Sequence, residues 1–444
     1  MFEEMFSQID FGALKEYLLN DDVTDISYSN GGQLWIKTLS RGIYRVDESP
    51  IDNAFMEKLA FQCSNAMGKS FNMAHPFLDA EGAELRLNFV HDSIARNGIA
   101  VLIRKTPAKI RLEKDKLLKE NYIDLDIHDF LIQCVKGHCN IMICGETGSG
   151  KTEFLKYLAA HTAEDEKLIT IEDTLELHLD RIFPHRDIVA MKTNNIAAYS
   201  DVLVTCMRQN PKWILLSEVR SAEAVMAVRN SISSGHYIIS TIHAEKASSI
   251  PQRMYSLLET NQDIDQFLKS IYRYVQLGIY IRGYQDKVTK HFHREIGEVV
   301  EFYVTENNEA KTNTIFRKTT NGKVTRNHPS SYLIDYLDGQ GVTLDKNIIM
   351  SDEEVLKKQQ VNQALNNDIN NQAVTIALGL SELFLEGHGV SRVHGGGFAG
   401  TIQAFVENNY VQEYKKKIEE AFGKHSCHVL KIRKYGAMKV EVGE

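Results

Sequence analysis

Positive charge is in short supply in this 444-residue chain: 51 lysines and arginines face 59 aspartates and glutamates, for a formal net charge of −8. That balance gives no reason to expect non-specific nucleic-acid binding, although a local basic patch stays open, and no sequence-specific contact with nucleic acid is expected. Cysteine is sparse. Cys63, Cys134, Cys139, Cys144, Cys206 and Cys427 are scattered with no CxxC pair, which argues against a disulfide framework or a zinc site and for free thiols in a reducing cytosol. Long apolar runs are missing as well. No stretch of roughly eighteen apolar residues occurs, so no segment is expected to span a bilayer, and any membrane role would come through docking. The acidic, amphipathic start MFEEMFSQIDFGALKEYLL lacks the basic and apolar regions of a signal peptide. No internal repeat at a fixed period is visible.

What is present is ordinary for a globular protein, with 43% hydrophobic and 25% charged residues, and the length suits two or three domains. Residues 1–105 mix helical stretches with short alternating ones such as GGQLWIKTL, which suggests an N-terminal α+β domain. The polar RKTPAKIRLEKDK reads as a linker, placed at 106–116. Over 117–330 short apolar runs (NIMICG, KLITIED, WILLSEV, YIISTIHA, YVQLGIYIRG) alternate with helical segments, the pattern of βαβ units and a mostly parallel sheet. REIGEVVEFYVTENNEAKTNTIFRK then alternates around turn residues like a hairpin. Residues 331–370 are Asn-, Asp- and Gln-rich and are expected to be a polar linker or tail. Residues 371–444 form a last α+β piece.

GETGSGKT, Gly145–Thr152, fits G-x-x-x-x-G-K-[ST] between an apolar strand and a helix. Gly145, Glu146, Thr147, Gly148, Ser149 and Gly150 form a loop whose backbone N–H groups can turn inward onto phosphate oxygens, with the helix N-terminus behind them. Lys151 would reach the β- and γ-phosphates of ATP, and the Thr152 hydroxyl would ligate Mg²⁺. Carboxylates follow at strand ends: Glu172, Asp173 and Glu176 in LITIEDTLEL, and Glu218 in WILLSEVRS, with Arg220 beyond it. Open α/β sheets bind ligand at such ends; one acid can hold Mg²⁺ and another can orient the attacking water. His236 and His243 bracket a further strand, where their spacing argues against a shared metal and for a γ-phosphate sensor or a satisfied core histidine.

These boxes resemble the traffic ATPases of type II and type IV secretion, the group that includes conjugation and pilus motors. GETGSGKT is similar to their Walker A, IEDTLEL to their acidic box, ILLSEVR to their Walker B and GHYIISTIHA to their histidine box. The resemblance implies a RecA-like P-loop ATPase domain behind the N-terminal domain, ATP and Mg²⁺ as cofactors, a homohexameric ring, and inner-membrane secretion or conjugation partners at the cytoplasmic face. It also implies residue roles. Lys151, Glu218, Glu172, Glu176 and His243 are expected to be catalytic, with Thr152, Asp173 and Glu218 at the metal. Arg104, at the end of the N-terminal domain, would contact nucleotide, and His236, Arg208 and Arg220 would support the site. Two departures stand out: Ser217 replaces the Walker B glycine, and Asn210–Pro211–Lys212 replaces Arg-Pro-Asp. A nucleotide-binding scaffold without turnover is the alternative they motivate.

A second glycine-rich stretch, RVHGGGFAGTIQAFV, carries Gly395, Gly396, Gly397 and Gly400. By spacing alone it suits either a phosphate cradle or a plain helix-to-strand turn. Residues 371–442 resemble the C-terminal end of galactokinases of the GHMP kinase family, whose third motif RVHGGGFAGTIQ is similar to, while the family's first two motifs are absent. The expectation is a secretion-type ATPase carrying a truncated GHMP-kinase-like fragment without sugar kinase activity.

Overall fold

The computed structural model describes residues 9–82, 84–193, 197–258, 263–286, 288–289, 291–344, 348–349, 373–385, 387–393 and 401–430. They divide into two compact units, Met1–Ile349 and Met350–Glu444.

The first unit contains two sheets. The N-terminal one is a six-stranded antiparallel sheet in the order β3-β2-β1-β6-β5-β4. Its strands are β1 (Val23–Ser29), β2 (Gln33–Thr38), β3 (Gly42–Arg45), β4 (Phe77–Glu81), β5 (Leu85–Val90) and β6 (Ala100–Lys105). Burial alternates along them: Leu34, Ile36 and Thr38 of β2 face inward, and the residues between them face out. Such alternation is expected of a sheet with one face on a core. That core includes the helix Asn53–Met67, whose start is capped by the Asp52 carboxylate accepting from the Phe55 N–H at 2.8 Å.

The second sheet has nine strands in the order β15-β14-β13-β12-β7-β11-β10-β8-β9. β7 (Ile141–Gly145), β8 (Leu168–Glu172), β9 (Ile188–Lys192), β10 (Trp213–Val219), β11 (Tyr237–Ile242) and β12 (Leu277–Gln285) run parallel. β13 (Phe292–Val304), β14 (Ala310–Lys318) and β15 (Val324–Arg326) add an antiparallel edge. Every residue of β7 and β8 is buried. The two faces feed different cores: Ile141, Ile143 and Leu168 point into one, and Met142, Cys144, Ile169 and Ile171 into the other. A sheet covered on both faces needs such unbroken apolar runs.

The linker and tail differ from expectation. The helix Lys114–Lys119 begins inside the expected 106–116 linker. The stretch expected to begin a polar tail instead packs on the core: Leu333 and Leu337 of the helix Ser331–Gly339 are buried there, together with Leu344 and Ile349. Leu333, Tyr336 and Leu337, at i, i+3 and i+4, put one face of that helix on the core.

The second unit contains the helix Ala373–Leu385, a hairpin of β16 (Gly389–Val393) and β17 (Ile402–Val406), and the helix Val411–Phe422. Leu385, Tyr410, Tyr414 and Ile418 form its small core. Gly395, Gly396, Gly397 and Gly400 lie outside the described residues, as do residues 345–347 and 350–370 of the expected tail and the end of the closing strand.

Candidate active site

Strand β7 ends at Gly145, and the chain turns through Glu146–Gly150 into the helix Lys151–Ala159. Gly148 and Gly150 hold φ of +80° and +96°, a region that other L-residues avoid. At Gly145 a Cβ would also meet the Ile281 carbonyl. The Lys151 ammonium folds over the loop it follows and donates to the Gly145 and Glu146 carbonyls, at 3.0 Å each. Burial lowers its pKa, opposed by the Glu218 carboxylate.

Two side chains from neighbouring strand ends complete a relay. His243, just past β11, stands 2.7 Å from Glu218 through Nε2 and 3.4 Å from the Lys151 ammonium through Nδ1. Nδ1 also stands 3.2 Å from the Gly145 carbonyl, so the tautomer sets its partner: an N–H there donates to Gly145, and a lone pair there accepts from Lys151. Glu218, on β10, is part-exposed, so its second oxygen can serve water or a cation. Arg104 comes from the other sheet, where Asp25 faces it across β1 and β6 and accepts from its Nε at 2.8 Å. Glu176 and Glu218 both act on Arg104 electrostatically.

A cleft of about 540 Å³ is lined by Thr147, Gly148, Gly150, Lys151 and Thr152 on one side and by Lys37, Asp25 and Arg104 on the other. A second cleft, about 680 Å³, lies between Arg86, Glu81 and Lys192, and the phosphate loop does not line it. The smaller one is bordered by the phosphate loop, while Glu176, Glu218 and His243 are not among the residues that line it. Among the described residues no group of three or more His, Cys, Asp or Glu side chains could hold a metal. Mg²⁺ takes one or two protein oxygens and fills its shell with water and phosphate; the oxygens that would be offered here are the Thr152 hydroxyl, in the first turn after the loop, and the Glu218 carboxylate.

Four expected site residues take other places. Glu172 is fully buried, and its carboxylate accepts from the Thr170 hydroxyl and from the Glu176 and Leu177 N–H groups, at 2.9–3.1 Å. It shapes the loop that presents Glu176 and does not line the phosphate-loop cleft. The carboxylate of Asp173, expected at the metal, pairs with Arg220 and accepts from the Thr174 N–H. His236 stands at the opposite end of β11 from His243, about 20 Å away at ~3.3 Å per residue, with Nδ1 2.9 Å from the Pro211 carbonyl. Arg208 is an exposed residue ending the helix Tyr199–Met207. The departure at Asn210 has a local reason: its φ is +52°, a conformation asparagine tolerates better than most residues.

Sequence reading missed Lys37 and Arg294. Arg294, on β13, reaches the Gly148 carbonyl at 3.4 Å and the Leu39 carbonyl at 3.1 Å, tying the two sheets over the loop. No local pattern marks either residue.

A strand–glycine loop–helix unit at the centre of a mostly parallel sheet, with acids at neighbouring strand ends, defines a P-loop protein. The family model described as "Type II/IV secretion system protein" matches residues 82–310, just over half of the chain, and the chain belongs to that family. It is 30% identical to an uncharacterized protein of Bacillus anthracis over 68% of this chain and 69% of that one. Over a third of the chain (32%) it is 37% identical to the type IV secretion system protein VirB11 of Bartonella quintana, spanning 40% of that protein's length. The solved structure of the Yersinia pseudotuberculosis ATPase DotB is a loose likeness, with a TM-score of 0.49 and 14% identity over 64% of this chain and 76% of that one.

Proposed function

We propose that this chain is an ATP-hydrolysing motor of a type II/IV secretion, conjugation or pilus system. The observation that carries the reading is the Lys151–His243–Glu218 relay at the mouth of the phosphate loop. Loop N–H groups and the Lys151 ammonium would hold the phosphates, phosphate oxygens taking the ammonium from the Gly145 and Glu146 carbonyls. Thr152 and Glu218 would hold Mg²⁺, which neutralises developing phosphate charge when bound. Glu218 orients water, and His243 reports the γ-phosphate to it. Arg104 brings positive charge from the N-terminal sheet, the kind of contribution that is worth about 10³–10⁵ in rate in arginine fingers.

The ring, in this reading, is a homohexamer docked on inner-membrane components at the cytoplasmic face. Among the described residues no helix is long and apolar enough to cross a membrane. Residues 371–442 are a galactokinase-like remnant without chemistry. Steady-state phosphate release tests the core of this. Wild type should turn over ATP, Lys151→Ala should lose on the order of 10³-fold, and Glu218→Gln should bind ATP with little turnover. Galactose should yield no galactose 1-phosphate. Wild-type turnover by Glu218→Gln would remove the carboxylate's assigned role.

A further inference from the structure

One rung of the N-terminal sheet carries charge across five of its six strands, from β2 to β4. Lys37 on β2 faces Asp25 on β1, Asp25 faces Arg104 on β6, Arg104 faces Arg86 on β5, and Arg86 faces Glu81 on β4. Directly opposed residues on neighbouring strands point to the same side of a sheet. Four members of the rung are engaged. Asp25 holds Arg104, Glu176 acts electrostatically on both arginines, and Glu81 pairs with Lys192 of β9. Lys37 is the exception. Among the described residues no acceptor lies within hydrogen-bond reach of its ammonium, and the neighbouring Asp25 carboxylate is taken by Arg104 and the Thr24 hydroxyl.

Its position is nevertheless tightly defined. A Cβ built on Gly148 would meet the Lys37 Nζ at 2.5 Å, so the ammonium rests on the backbone of the phosphate loop itself. Gly148 needs to be glycine for its φ of +80°, and its missing side chain leaves room for the lysine tip. Lys37 lines the same cleft as Lys151 and Thr152, where lysines and arginines outnumber carboxylates eight to four. An unpaired ammonium over a glycine-rich loop, in a cleft of surplus positive charge, suits an anion approaching from the cleft side.

We propose that Lys37 is a second phosphate-binding cation, contributed by the N-terminal sheet, which clamps the polyphosphate chain of the nucleotide against Gly148 from the side opposite Lys151. The inference rests on the nucleotide reading of the site. It also gives the two sheets a reason to close, because the nucleotide's charge is shared between them.

The test titrates ATP and AMP into wild type, Lys37→Met and Lys37→Arg. Lys37→Met should weaken ATP tenfold or more, the usual loss for a charge-assisted hydrogen bond. It should leave AMP, which lacks the outer phosphates, unchanged, and Lys37→Arg should keep most of the ATP affinity. Equal ATP binding by wild type and Lys37→Met would overturn the proposal and leave the nucleotide reading intact. So would parallel loss of ATP and AMP without rescue by arginine, which marks a distorted loop. Failure of wild type to bind ATP at all would overturn both.

Discussion

The two sheets that face each other across the phosphate loop reach the site by different means. The nine-stranded sheet uses backbone: buried strands end together, and a glycine loop, a glutamate and a histidine emerge within a few ångströms of one another. The six-stranded sheet uses long side chains standing in one rung. The first arrangement depends on which residues can adopt a conformation, the second on which strands lie side by side. Backbone devices therefore tolerate little substitution, while a cation on a half-exposed strand can be exchanged without loss of the fold.

The most severe test of that contrast lies in the nine-stranded sheet. Burial pushes the Glu172 carboxyl up to about 7 from an ordinary 4.5, while its hydrogen bonds from Glu176, Leu177 and Thr170 pull the other way. A raised acid is protonated in the fold while the unfolded chain has already released its proton. Its stabilising contribution is thus complete below about pH 4.5 and is lost as pH rises towards 7. Wild type should lose on the order of 3 kcal/mol across that window from this group. Glu172→Gln, which cannot ionise, should show a flatter dependence of Tm on pH between 5 and 8. Identical slopes would mean that Glu172 is charged in the fold and that the loop's amides outweigh burial.

A smaller effect is expected from the six-stranded sheet. Asp25→Asn keeps the size of the residue that holds Arg104 and removes its charge. The arginine then loses its tether, and kcat should fall about tenfold, with ATP affinity changing less. Thermal stability should barely move, because the pair is partly exposed. Unfolding at a lower temperature with unchanged kcat would reverse the contrast, making the rung a structural strut.

The difference between the sheets also explains what was legible beforehand. GETGSGKT could be read because only glycine meets the loop's conformational demand and the lysine must follow at fixed spacing. The apolar runs of β7, β8, β10 and β11 could be read because a doubly covered strand has no polar positions to spare. The rung could not. Alternation along β2 says which residues share a face, but Lys37 joins Arg104 in one rung only through Asp25, whose pairing links strands 79 residues apart. The acidic box shows another limit. Composition places Glu172, Asp173 and Glu176 together without saying which carboxylate turns inward, and the structure turns Glu172 into the core and Asp173 onto Arg220. The docked helix Ser331–Gly339 escaped notice because its apolar face, Leu333, Tyr336 and Leu337, spans little more than one turn inside a stretch rich in Asn, Asp and Gln.

The smallest expected effect tests how the rung ends. Glu81 on β4 pairs with Lys192 on β9, joining the far edges of the two sheets beside the larger cleft. Both side chains are substantially solvated, so the pair should contribute under about 1 kcal/mol. Glu81→Gln should shift Tm by a degree or two at most and leave turnover at the wild-type rate. If turnover changed severalfold while Tm held, the link would be setting how readily the sheets separate. The side-chain sheet would then govern the pace of the cycle as well as the charge at the phosphates.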